Sequence, residues 1–230
     1  MNTLPNYVSI IFTLTTTLTI FFFYKAAHHS RNFLIVVLAW LLIQTLLGLK
    51  LFYVVTNTIP PRIILLAAPP LVMIACLFLT TRGKYFLDGL DIKYLTMLHI
   101  IRIPVELVLL WLSINKVIPQ LMTFEGRNFD ILSGITAPII YYFVFVKNNF
   151  NKKVVLGWNF ICLALLLNIV VNAVLSVPTA FQQFSFEQPN IAILYFPFNL
   201  LPAVVVPLVL LSHLAAIRQL MNPDEIKPAK

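Results

Sequence analysis

Charge is what this chain has least of. Only 10% of its 230 residues are Asp, Glu, Lys or Arg, 60% are hydrophobic, and the mean hydropathy is +0.92. Soluble domains carry roughly 25% charged residues, so too few polar groups are present to cover a water-facing surface. That excludes an ordinary soluble domain and makes lipid part of the solvent. Glycine is nearly as scarce: there are six, and no two are spaced as GxxxG, which excludes close glycine-mediated packing as the way the helices associate. The two cysteines, Cys76 and Cys162, both fall within apolar runs. They read as small packing residues that carry no information on redox compartment. No basic residue precedes the first apolar run in "MNTLPNYVSIIF", which argues against a cleaved leader and for a retained first span.

What the sequence does contain is a series of long apolar runs. A bilayer core about 30 Å thick takes about 20 residues of helix. Runs bounded by charged or turn-rich breaks occur at about 6–24, 33–55, 63–80, 94–115, 131–146, 154–176 and 191–216. They predict an all-α, polytopic integral membrane protein, one transmembrane domain over 1–230 with seven spans. The fifth run is short and is expected to extend into its loop. The net charge of +8 does not point to nucleic acid, because the basic residues sit in short clusters between the runs, where they suit lipid head groups. Lys25, Arg31, Arg82, Lys84, Lys93, Lys147, Lys152, Lys153, Arg218, Lys227 and Lys230 fall on one side, and only Lys50, Arg62, Lys116 and Arg127 on the other. The bias of basic residues toward the cytoplasm then predicts the N-terminus outside and the C-terminus cytoplasmic, in a bacterial-type inner (plasma) membrane.

Within this oily chain, "MLHIIRIPVELVLLWL" (97–112) places His99, Arg102 and Glu106 in a lipid-soluble run. Their spacing of i, i+3, i+7 puts them on one helical face, roughly 8, 12 and 18 Å below the cytoplasmic surface at 1.5 Å per residue. Arg102 and Glu106, four apart, are expected to pair. Pro104 frees the carbonyl of Ile100 beside the same face. Asn168 and Asn172 share a face of the sixth span, and depth puts Asn168, Asn199 of the seventh and Gln44 of the second near the level of Glu106. The expected result is a midplane polar layer of Gln44, Glu106, Asn168 and Asn199, with Arg102 just beneath it. Charged groups at such depth face partners or a wet cavity and mark function. An apolar replacement would serve stability as well as a buried ion pair.

All four histidines lie on the basic side, and His99 and His213 come to similar depth as metal-ligand candidates, or as two axial ligands of one haem. Seven spans with histidines on that side resemble the ceramidase and progestin-receptor-like membrane hydrolases, which hold zinc with three histidines, two of them paired on the last helix. The last run here offers only His213, with Ala216 and Ile217 where a second histidine would fall, so that activity is not carried over. "IPQL" (118–121) resembles the Pro-Gln motif of the PQ-loop transporters, but it has no second copy and ends the fourth span rather than lying in the first or fifth. The last run contains no lysine, which excludes a retinal Schiff base there.

Seven prolines fall inside the runs: Pro69, Pro70, Pro104, Pro138, Pro197, Pro202 and Pro207. Their coincidence with polar residues in the fourth and seventh spans favours a pocket bounded by kinked helices. Two segments expected outside the membrane, 119–130 and 177–190, mix aromatics with Glu125, Arg127, Asp130 and Glu187 and suit the interface or a lid. Taken together, these features predict a protein that binds or moves a small molecule, lipid or proton through Arg102, Glu106, Asn168, Asn172, Asn199 and Gln44. Arg102 would hold an anionic group and Glu106 would act as counter-ion or proton carrier. A membrane enzyme on a lipid-soluble substrate, or a structural or sensory subunit, are the alternatives.

Overall fold

The structure, a computed structural model, describes residues 4–147 and 151–222. Lys227 and Lys230 of the charge comparison lie outside the described residues. Among those residues every regular element is helical. We label α1 Asn6–Ala26, α2 Arg31–Leu49, α3 Ile64–Leu79, α4 Thr81–Asp88, α5 Ile92–Ile114, α6 Ile131–Val146, α7 Lys152–Leu175 and α8 Leu201–Met221. Five of them (α1, α2, α5, α7 and α8) are long and apolar enough to cross a membrane, and six if the bent pair α3–α4 counts as one span. This is the make-up of a multi-pass membrane protein.

Local chemistry explains the helices that lipid-soluble sequence alone does not. α1 carries a run of threonines, and the hydroxyls of Thr13, Thr15, Thr16, Thr17 and Thr19 each donate to the carbonyl four residues back, at 2.8 to 3.0 Å. No threonine hydroxyl of that run is left bare in an apolar medium. α5 tightens to a 3₁₀ turn at His99–Ile101. Pro104 has no N–H to give to Ile100, so the α-helical ladder is already broken there. α8 begins as a π-helical turn over Leu201–Val205, and Trp40 of α2 donates its indole N–H to the carbonyl of Ala203 at 2.9 Å.

α3 and α4 meet at 93°. Thr80 makes the corner: its hydroxyl donates to the Cys76 carbonyl at 2.8 Å and accepts from the Gly83 N–H at 3.1 Å. A Cβ on Gly83 would stand 2.3 Å from the Leu77 carbonyl oxygen, which only a backbone shift relieves. Gly83→Ala is therefore expected to cost about 1–3 kcal/mol and to lower the melting temperature in detergent. Gly157→Ala is the matched control. It lies within α7 with nothing inside 4 Å of the added Cβ, and should be neutral or stabilising by up to about 1 kcal/mol. Equal melting temperatures for the two variants would mean that the corner does not depend on Gly83.

α8 is the axis of the bundle. Of its apolar window 67% is buried, against 17% for α2, which lies at the periphery with much of its surface left to lipid. The far end of α8 clamps the α4–α5 corner. Arg218 makes a two-pronged pair with Asp88 at 2.7 and 2.8 Å, and the Gln219 amide donates to the carbonyls of Leu87 and Leu90.

The sequence and the structure part company at three runs. α2 ends at Leu49 rather than near residue 55, where the chain turns through Leu51 (φ 54°) into a 3₁₀ turn at Phe52–Val54. The seventh run opens with a 3₁₀ turn at Ala192–Leu194 and becomes a continuous helix only at α8; residues 195–199 between them form a bend and turns, and Phe198 and Asn199 among them are buried. The fifth run does not extend helically into its loop. α6 starts at Ile131, and residues 123–130 reach it as irregular chain with Thr123, Asn128 and Asp130 buried. Irregular backbone is tolerated inside such a bundle when its polar groups are satisfied by protein. Here the Asn168 side chain of α7 donates to the Arg127 carbonyl at 2.9 Å, and Asn128 donates to the Met122 carbonyl at 3.0 Å.

Candidate functional site

That irregular chain from 123 to 130 brings two buried polar residues, Asn128 and Asp130, against α5. Asn128 donates to Glu106 Oε1 at 2.6 Å, and its own Oδ1 accepts the Asp130 backbone N–H at 3.1 Å. Asp130, at the head of α6, accepts a hydrogen bond from Arg102 Nη1 and forms an ion pair with it. Arg102 Nη1 also approaches the Cys162 carbonyl at 3.4 Å, and Nη2 meets His213 Nε2 at 2.9 Å.

The last contact fixes a tautomer by elimination. A guanidinium only donates, so His213 Nε2 accepts and the ring proton sits on Nδ1. That proton goes to Asn159 Oδ1 at 2.8 Å, while Asn159 Nδ2 donates to the Val155 carbonyl at 2.9 Å. His213 is thus a neutral imidazole held from both sides. One chain of polar contacts runs from Val155 through Asn159, His213, Arg102, Asp130 and Asn128 to Glu106, joining α5, the coil, α6, α7 and α8. All of its side chains are buried; Arg102 and Glu106 are each 2% exposed.

The order of pairing differs from the sequence expectation. Arg102 and Glu106 share a helical face, but Arg102 is neutralised by Asp130 rather than by Glu106. Arg102 Nη1 and Nη2 are engaged within the protein, while its buried Nε has no hydrogen-bond partner among the described residues. Asp130 is buried and ion-paired, whereas Glu125, Arg127 and Glu187, grouped with it on outer loops, are exposed. His99 and His213 do come together, as a face-to-face stack with centroids 3.9 Å apart and planes 14° from parallel, and with Trp158 edge-on to His99 at 5.4 Å. A ring nitrogen directs its lone pair in the plane of the ring, so stacked rings neither converge on one ion nor bracket a haem iron. Among the described residues no group of three or more His, Cys, Asp or Glu is placed to hold a metal.

The expected midplane layer separates into parts. Gln44 and Asn199 form their own cluster: Asn199 donates to the Gln44 carbonyl at 2.8 Å, and Tyr53 donates to Gln44 Oε1 at 2.6 Å. Gly48 leaves room for the Asn199 amide, which an added Cβ would approach to 2.9 Å. Asn172 donates to the Asn168 carbonyl of its own helix at 2.9 Å. Asn159, absent from the sequence expectation, lies nine residues before Asn168 and so on the opposite side of α7 at about 100° per residue. Its one sequence signal is an amide inside an apolar run.

A cavity of about 470 Å³ opens beside this network between α3, α5, α7 and α8. Its floor is closed by buried Leu66, Val105, Leu109 and Met122, and its rim carries exposed Leu71, Leu167, Val174 and Phe181. Among the described residues, Glu106 and Asp130 are the charged ones that line it. Glu106 Oε2 is buried and has no hydrogen-bond partner among the described residues.

Residues 59–221 match the family described as a domain of unknown function (DUF8737), and the chain belongs to that family. The matched part takes in α3 to α8 and every residue of the network above. No curated protein and no solved structure matches the chain.

Proposed function

We propose that this member of the DUF8737 family is a single-domain membrane protein of seven crossings, N-terminus outside and C-terminus cytoplasmic, that binds or moves a small molecule, lipid or proton through the cavity beside Glu106. One observation carries the reading: Glu106, whose buried Oε2 has no hydrogen-bond partner among the described residues, lines a space of about 470 Å³ whose walls are otherwise almost wholly aliphatic. A buried polar group left bare costs about 1–3 kcal/mol, and a structural role would be served by pairing both oxygens or by an apolar residue. The volume lies in the range of small-molecule sites. Arg102, Asp130, Asn128 and His213 act as the frame that orients Glu106. Gln44 with Asn199, and Asn168 with Asn172, hold segments that bound the cavity. The bilayer is the protein's solvent and, under this reading, the route by which an apolar ligand arrives.

The test uses dicyclohexylcarbodiimide, a lipid-soluble reagent that adds to protonated carboxyls, on the full chain in proteoliposomes. The expected product is a single adduct, mapped by peptide mass spectrometry to Glu106 and lost in Glu106→Gln. Asp130, held by Arg102, should react far less. Labelling confined to Glu125 and Glu187 would mean that the cavity admits nothing from the lipid, and the ligand-binding reading would fall.

A further inference from the structure

We propose that the Glu106 cavity takes a lipophilic cation from the bilayer in exchange for one proton; this rests on the ligand-binding reading above and names its substrate class. The argument is a charge balance. The charged groups that face Glu106 are Arg102, from its own helix, and Asp130, from the head of α6. Those two neutralise each other in a direct ion pair, so an ionised Glu106 is the one uncompensated charge of the site. Asn128 satisfies Oε1 with a neutral donor and adds no charge. His213 is held neutral by its two hydrogen bonds and touches Arg102 rather than Glu106.

An isolated carboxylate in an apolar surround takes up a proton instead of remaining charged. In the empty cavity that proton sits on Glu106. A cation that arrives with its own apolar body replaces it: the O–H bond breaks, the proton leaves to water, and the carboxylate pairs with the incoming positive charge. One positive charge enters as one leaves, so the net charge of the site is unchanged. The surroundings match the body of such a molecule. Leu71 and Leu167 at the rim and Val105 and Leu109 at the floor offer only hydrocarbon. The rim side chains are exposed on the sides of α3 and α7, which gives lateral access from lipid.

The probe is tetraphenylphosphonium, titrated calorimetrically into the full-length protein in mild detergent, in two buffers of different ionisation enthalpy. Binding is expected with release of close to one proton per cation, with affinity rising about tenfold per pH unit while Glu106 is protonated. Tetraphenylborate, of the same shape and opposite charge, should bind at least tenfold more weakly. Glu106→Gln keeps the acceptor for Asn128 and should weaken tetraphenylphosphonium at least tenfold. Equal binding of the two ions by the wild type, or binding with no proton release, would overturn the exchange. If carbodiimide labels Glu106 yet the cation does not bind, the substrate class is wrong and the cavity reading stands; if neither occurs, both fall.

Discussion

Asp130→Leu is expected to remove about 3–5 kcal/mol of stability, the cost of leaving one member of a buried ion pair without its partner. Arg102 is 2% exposed, and without Asp130 the hydrogen bonds left to it are those to the His213 imidazole and the Cys162 carbonyl. A guanidinium has no neutral form to retreat to. The reverse variant, Arg102→Leu, is expected to cost less, about 1–3 kcal/mol, because the stranded Asp130 carboxyl can take a proton. The side chain of Asp130 makes no capping bond at the start of α6, and besides Arg102 it accepts from the Ser133 hydroxyl at a long 3.5 Å, so the asymmetry reports chiefly the pair. The double variant Arg102→Leu with Asp130→Leu should regain most of the loss, since an apolar pair of similar volume is often as stable as the ions it replaces. Unfolding of all four proteins in one detergent gives the double-mutant cycle. Additive losses, or a milder effect from Asp130→Leu than from Arg102→Leu, would contradict the pairing.

The parts of the fold that the sequence predicts are those that lipid imposes. An apolar run as long as the bilayer is thick is a signal independent of partners, and α1, α3 and α7 begin and end within two residues of the runs at 6–24, 63–80 and 154–176. The face carrying His99, Arg102 and Glu106 is equally local, because it depends only on helical periodicity, and all three are buried.

Pairing is not local. Residue number along a helix yields depth, one coordinate of three, and the lateral order of the helices decides the other two. Gln44 and Asn199 therefore meet each other rather than Glu106, and Asn168 meets the Arg127 carbonyl. Asp130, 28 residues from Arg102, reads as a loop residue because no periodicity marks a coil that enters a bundle. The physical trace of that coil is its tight turn at Gly126, where a Cβ would lie 2.4 Å from the Gln120 carbonyl oxygen, and a lone glycine among polar residues is an ordinary loop signal.

That coil supplies the second large effect. Asn128 is fully buried and uses both halves of its amide, donating to Glu106 Oε1 and the Met122 carbonyl and accepting from the Asp130 N–H. Asn128→Ala strands three groups at about 1–3 kcal/mol each, and the expected loss is about 3 kcal/mol or more. Asn128→Asp keeps the shape and the bond from the Asp130 N–H, but it turns the two donors into an acceptor facing a carboxylate and a carbonyl. A carboxyl buried here against Glu106 and the Met122 carbonyl takes up a proton of its own rather than ionise. The folded state then binds more protons than the unfolded chain, so the stability of Asn128→Asp falls as pH rises. Melting temperatures measured at about pH 5 and about pH 8 separate the variants: the deficit of Asn128→Asp relative to wild type should widen at the higher pH, and that of Asn128→Ala should not. Parallel deficits at both pH values would mean that the residue supports the coil without touching Glu106, and the polar chain from Val155 to Glu106 would end at Asp130.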